Sequence, residues 1–212
     1  MPDIAAVRRA QGLFLEASQV DGAPVGAFIG AAKATAWLVE HEEDGRRREV
    51  LATEGVQISQ WCRRLFPADP ECTYRLALAV GQQARERPST ATDGLDVMVE
   101  LLDEVIAEAP ELDHAGGQRV LALVLLRAPG WPTGPGDPEY ALEFAEAAVE
   151  AFPNYPPNQL VLGEALRDND RRGEAKQAFE RGLQLARSTP AAGDPEASDW
   201  IDQAEEALAK IR

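Results

Sequence analysis

The chain has 212 residues, 45% apolar but only 6% aromatic, with a formal charge of −15. Its length supports one core of ordinary size or a repeat stack, and the abundance of Ala, Leu, Glu and Arg favours helix over sheet, because these unbranched side chains lose little rotamer freedom there. The charge makes nucleic acid a poor partner, since phosphate binding needs a basic face; the basic clusters at Arg8–Arg9, Arg46 to Arg48, Arg63–Arg64 and Arg171–Arg172 all lie among acids.

In chain order, helical periodicity predicts helices near 3–18, 26–42, 46–66, 71–86, 93–109, 114–127, 138–152, 157–168, 171–188 and 195–211. They make five antiparallel pairs. Asp3, Asp93 and Asp137 are expected N-caps, His114 is expected to cap the sixth helix, and Pro138 and Pro195 suit a first turn because their missing donors would be unpaired there. The longest apolar run, Val120 to Leu126, falls far short of the roughly 20 residues that cross a bilayer. No basic region followed by a hydrophobic stretch marks a leader at the N-terminus. The expectation is a cytoplasmic protein if Met1 is the native start, and a periplasmic one if a leader has been removed.

Cys62 and Cys72 flank a turn containing Pro67 and Pro70. Two readings are open, a pair of small core residues or a disulfide; two lone cysteines and two histidines make a poor metal site.

Proline sets a ruler along the chain. Pro67, Pro110 and Pro153 follow amphipathic stretches at a constant interval of 43 residues. Ala141, Ala145 and Ala148 fall on one helical face, where a neighbour can approach closely. Downstream, Leu162, Gly163, Leu166, Ala175, Phe179 and Gly182 resemble the tetratricopeptide repeat, in which a large and a small residue pack the first helix and Ala, Phe and Ala hold the second. Gly182 replaces the usual Ala and Gln159 the usual Trp. The two upstream units fit this frame with seven residues inserted at Ala128 to Gly136 and eight around Arg87 to Thr90. The fold class expected is therefore all-α, a tetratricopeptide-like α-solenoid: residues 1–66 cap or pack on repeat units in 67–212, which end in a capping helix.

The segments Leu112 to Leu121, Ala128-Pro129-Gly130-Trp131-Pro132, Gly136 to Leu142 and Pro153 to Leu166 resemble the T-component family of TRAP transporters. That resemblance spans roughly residues 50 to 190. It implies a repeat scaffold with a channel, possible homo-oligomerisation, and a role in handing an apolar ligand to or from a substrate-binding protein. Family members are typically exported lipoproteins; neither an export signal nor a lipidation cysteine stands at this N-terminus.

No phosphate loop, HExxH zinc motif, GxSxG elbow or dinucleotide fingerprint is present, so no cofactor is expected and the chain reads as a non-enzyme. The apolar runs Val120 to Leu126 and Leu76 to Val80 exceed one buried stripe. Either they lie in the middle of the stack, or one side of them faces an apolar groove. In the tetratricopeptide frame Arg75, Gln82, Arg119, Leu123, Glu164 and Arg167 project inward and are candidate binding residues. Trp131, between Pro-Gly and Pro, is either a plug over helix ends or a binding anchor. Two functions follow: a T-component-like scaffold for a protein partner and an apolar ligand, or a cytoplasmic adaptor that holds a peptide or helix in its concave groove.

Overall fold

The computed structural model describes residues 3–87, 91–188 and 196–211. Ten helices fill them: α1 Ile4–Ser18, α2 Val25–His41, α3 Gly45–Leu65, α4 Pro70–Glu86, α5 Ala91–Glu108, α6 Gly116–Arg127, α7 Pro138–Ala151, α8 Pro156–Asp168, α9 Arg172–Ser188 and α10 Ala197–Lys210. Among the described residues the only β feature is an isolated bridge between Gly130 and Gly136.

Helix starts follow local chemistry. The Asp3 carboxylate accepts from the Ala5 amide at 3.2 Å and that of Asp137 from Tyr140 at 3.0 Å, satisfying donors that the first turn leaves open. Asp44 and Asp69 do the same for α3 and α4. The expected cap at Asp93 is corrected: α5 begins at Ala91, which puts Asp93 inside its first turn. Pro70, Pro138 and Pro156 occupy first turns, while Pro195 lies outside the described residues.

The chain divides into two compact units, residues 2–109 and 110–212. In the N-terminal unit α2 packs on α1, α3 and α4, and α4 packs on α3 and α5. Helices on both sides of 66/67, where the sequence suggested a boundary, thus share one unit. Phe28, Leu38, Tyr74 and Leu102 are buried there. In the C-terminal unit α8 packs on α6, α7, α9 and α10 around Leu121, Leu166, Phe179 and Trp200.

Close packing depends on small residues. Ala141, Ala145 and Ala148 are fully buried on one face of α7. Gly163 lies so close to the Phe179 ring that a Cβ there would stand 2.6 Å from it, inside the distance at which carbon atoms repel. The apolar runs in α4 and α6 are buried or half-buried throughout.

Two turns are built alike. Phe66-Pro67-Ala68-Asp69-Pro70 joins α3 to α4, and Phe152-Pro153-Asn154-Tyr155-Pro156 joins α7 to α8. Phe66 has φ −127° and ψ 62°; Phe152 has φ −133° and ψ 75°. Three amides donate in matching order: Phe66 to Cys62, Asp69 to Phe66 and Cys72 to Asp69, against Phe152 to Ala148, Tyr155 to Phe152 and Asn158 to Tyr155. Pro110 stands at the same corner, two residues past the end of α5 with the Ala109 amide donating to Val105, but the turn that follows it is longer. There Asp113, His114 and Ala115 take φ of 51°, 55° and 63°, a left-handed run without glycine that costs roughly 1–2 kcal/mol per residue, and α6 starts only at Gly116.

Cys62 and Cys72 form a disulfide from the last turn of α3 to the first turn of α4. This corrects the reading of two unlinked core residues. The eight-residue insertion expected around Arg87 to Thr90 is also corrected, since part of it lengthens a helix: α4 has 17 residues where α8 has 13. Residues 88–90 lie outside the described residues. The insertion at Ala128 to Gly136 is an irregular loop, as proline and glycine require.

Candidate functional site

In the N-terminal unit both candidates are engaged within the fold. Arg75 donates to Glu71 at 2.9 Å and lies beside the Tyr74 ring. Gln82 donates to the Ala36 carbonyl at 3.1 Å and to Glu40 at 2.9 Å, tying α4 to α2. Around them, carboxylates stitch the helices. Burial works against the charge on Glu71, but hydrogen bonds from Lys33 and Arg75 outweigh it and hold the carboxyl below its usual range. Glu86 behaves likewise: burial opposes its charge, and hydrogen bonds from Arg48 and Arg85 prevail.

In the C-terminal unit Arg119 is buried in a polar knot. Its guanidinium donates to the carbonyls of Asp113 and His114 at 3.0 and 3.1 Å and to Asn158 Oδ1 at 3.1 Å. It also pairs with the Asp113 carboxylate at 2.8 Å and covers the Tyr155 ring. Asn158 in turn donates to the carbonyls of His114 and Ala148 at 3.1 and 2.9 Å. The bonds to Asp113 and His114 satisfy carbonyls that the left-handed run turns away from helix partners. The expected cap at His114 is corrected: α6 has no side-chain cap, and the His114 ring stacks on Tyr155 at 4.3 Å between centroids. Sequence reasoning missed Asn158 and Tyr155, although the repeated Phe-Pro-x-x-Pro pattern marks the turn they belong to.

The other candidates are spread along two helices. Leu123 is half-buried against Ala122, Ala145, Val161 and Ala165. Glu164 accepts from Arg127 at 3.2 Å, and Arg167 pairs with its neighbour Asp168 at 2.8 Å. Among the described residues no group of three metal-ligating side chains occurs, and no helix is long and apolar enough to cross a membrane.

Trp131 differs from all of these. Its loop is closed at the neck, where the Gly136 amide donates to Pro129 and the Asp137 amide to Leu125, both at 2.9 Å. Inside the loop the Thr133 amide and hydroxyl both donate to the Gly130 carbonyl, and Trp131–Pro132 is a cis bond. Asp137 caps α7, and Asn169 donates to the Pro138 carbonyl at 2.7 Å, which fixes the far side. On this braced tip the Trp131 side chain is 90% exposed, so it does not plug helix ends.

No protein-family model and no curated protein matches the chain. Among solved structures, the chain is similar to a thermophilic TPR protein of Thermus thermophilus, with a TM-score of 0.54 and 20% identity over 85% of this chain and 90% of that one. At that identity the likeness is one of fold. The chain is an all-α protein of tetratricopeptide-like helix pairs.

Proposed function

We propose that the chain is a non-catalytic helical-repeat scaffold that holds a protein partner, with Trp131 as an anchor. One observation carries this reading, a nearly naked indole on a loop whose neck is closed by backbone hydrogen bonds. Water contact over so large a ring is unfavourable. Burying it in a partner's pocket removes about 200 Å² of surface, a gross gain of about 5 kcal/mol before the costs of association. Because the loop is braced, little conformational freedom is lost on docking. Trp131→Ala should abolish recovery of the partner on affinity capture from native lysate while leaving the melting temperature unchanged. A fall in melting temperature, or capture as strong as before, counts against the anchor.

A finer reading is a T-component-like scaffold that works with a substrate-binding protein and an apolar ligand. The Cys62–Cys72 disulfide favours it, because such bonds persist in oxidising compartments and are rare in the cytosol; this reading puts the chain in the periplasm. The apolar runs of α4 and α6 are where an apolar guest would be sought. Native mass spectrometry of protein purified without added lipid tests it. An apolar molecule retained at unit stoichiometry supports the reading, and bare protein opposes it.

A further inference from the structure

A furrow in the N-terminal unit is lined by none of the candidate binding residues but by two of the basic clusters. α1 and α3 both pack on α2, and the space left between them is a groove of about 660 Å³. Leu15 of α1 and Val50 and Ile58 of α3 supply its apolar walls. Val50 is 58% exposed, and farther along the same α3 face Trp61 and Leu65 are more than half exposed. Positions 50, 54, 58, 61 and 65 recur at helical spacing, so they form one stripe. From Val50 to Leu65 it runs about 22 Å.

Charge gives the furrow a second character. Arg8, Arg46 and Arg47 line it against a single carboxylate, Glu54, on a chain whose net charge is −15. Arg8 is paired with Glu42. Arg46 and Arg47 are exposed and make no ion pair among the described residues, so two guanidiniums stand at the mouth of an apolar trough without an intramolecular use.

We propose that this furrow docks an amphipathic helix of a partner protein, with apolar residues facing Leu15, Val50 and Ile58 and carboxylates along its flank facing Arg46 and Arg47. Laying an apolar stripe into an apolar trough supplies burial, and the flanking carboxylates set orientation and reject basic helices. The site lies within the N-terminal unit, and this proposal does not rest on the Trp131 anchor.

The test uses the full chain and a fluorescein-labelled peptide of about 16 residues repeating Leu-Glu-Ala-Leu-Glu-Glu-Ala, beside the same peptide with each Glu replaced by Lys. Fluorescence anisotropy should show the acidic peptide binding at least tenfold more tightly than the basic one. Arg46→Glu with Arg47→Glu should reverse that preference. Val50→Asp, at a position 58% exposed, should weaken acidic binding by about tenfold. Equal binding of the two peptides, binding of neither, or a preference unaltered by the arginine reversals overturns the proposal. So does an oligomer, seen by sedimentation, that the arginine reversals dissolve, since the groove would then be filled by a second copy of this chain.

Discussion

The turn at Phe66 to Cys72 and the turn at Phe152 to Asn158 have the same backbone and opposite fasteners. Where the N-terminal unit places Cys62 and Cys72 and bonds them covalently, the C-terminal unit places Ala148 and Asn158 at the matching positions. There the Asn158 amide donates to the Ala148 carbonyl at 2.9 Å. One crossing is held by a bond that depends on redox conditions, the other by a hydrogen bond that does not. The difference shows that the Phe-Pro-x-x-Pro turn sets the geometry, and that the residue pair across it is a replaceable clamp.

The largest effect should come from the knot beside the second clamp. Arg119→Ala removes the donor that the Asp113 carbonyl and Asn158 Oδ1 share and one of the two that reach the His114 carbonyl, which should cost roughly 3–5 kcal/mol in urea denaturation, at about 1–3 kcal/mol for each buried acceptor left short. If the loss is below about 1 kcal/mol, the left-handed run needs no such support. Removing the first clamp with Cys62→Ala and Cys72→Ala should cost about 2–3 kcal/mol, because the bond closes only a short loop. Reductant should then have no further effect on the double variant, and should lower the melting point of the parent.

A smaller effect is expected from Glu86→Gln, about 1–2 kcal/mol at neutral pH, reduced because Arg85 is half exposed. The sign with pH follows from its depressed carboxyl. The stabilisation is fully present above the unfolded value of about 4.3 and disappears as pH falls through the lower folded value. Urea midpoints of parent and variant should therefore converge in acid, and a constant gap would show that ionisation is not the cause. The smallest net change should follow a transplant of the clamp itself. Ala148→Cys with Asn158→Cys should form a disulfide, read as the loss of two hydrogens by intact mass. The gained cross-link roughly offsets Asn158's lost hydrogen bonds, and two free thiols after oxidation would break the equivalence of the turns.

Most of this architecture is legible in the residues. All ten helices follow apolar periodicity, and the repeat's small positions are filled as expected, Gly163 receiving the Phe179 ring and Gly182 the Leu160 side chain. What sequence does not reveal is long-range or conformational. Spacing alone places Pro110 in register with Pro67 and Pro153, yet no sequence rule foresees three consecutive left-handed residues at Asp113 to Ala115; only the donors converging from Arg119 and Asn158 make that backbone tenable. The candidate set shows the same divide. Helix position points Arg119 and Gln82 inward, but polar side chains so placed are consumed by internal carbonyls before any guest arrives. Trp131 is legible as unusual, while its direction depends on how the Gly136 and Asp137 amides close the loop.

That closed loop also gives the protein a native optical probe. Trp131 is far more exposed than Trp200, which is buried, so its emission should peak toward the red and be quenched readily by acrylamide. A partner that swallows the indole will shift that emission to the blue, which makes docking observable in unlabelled protein.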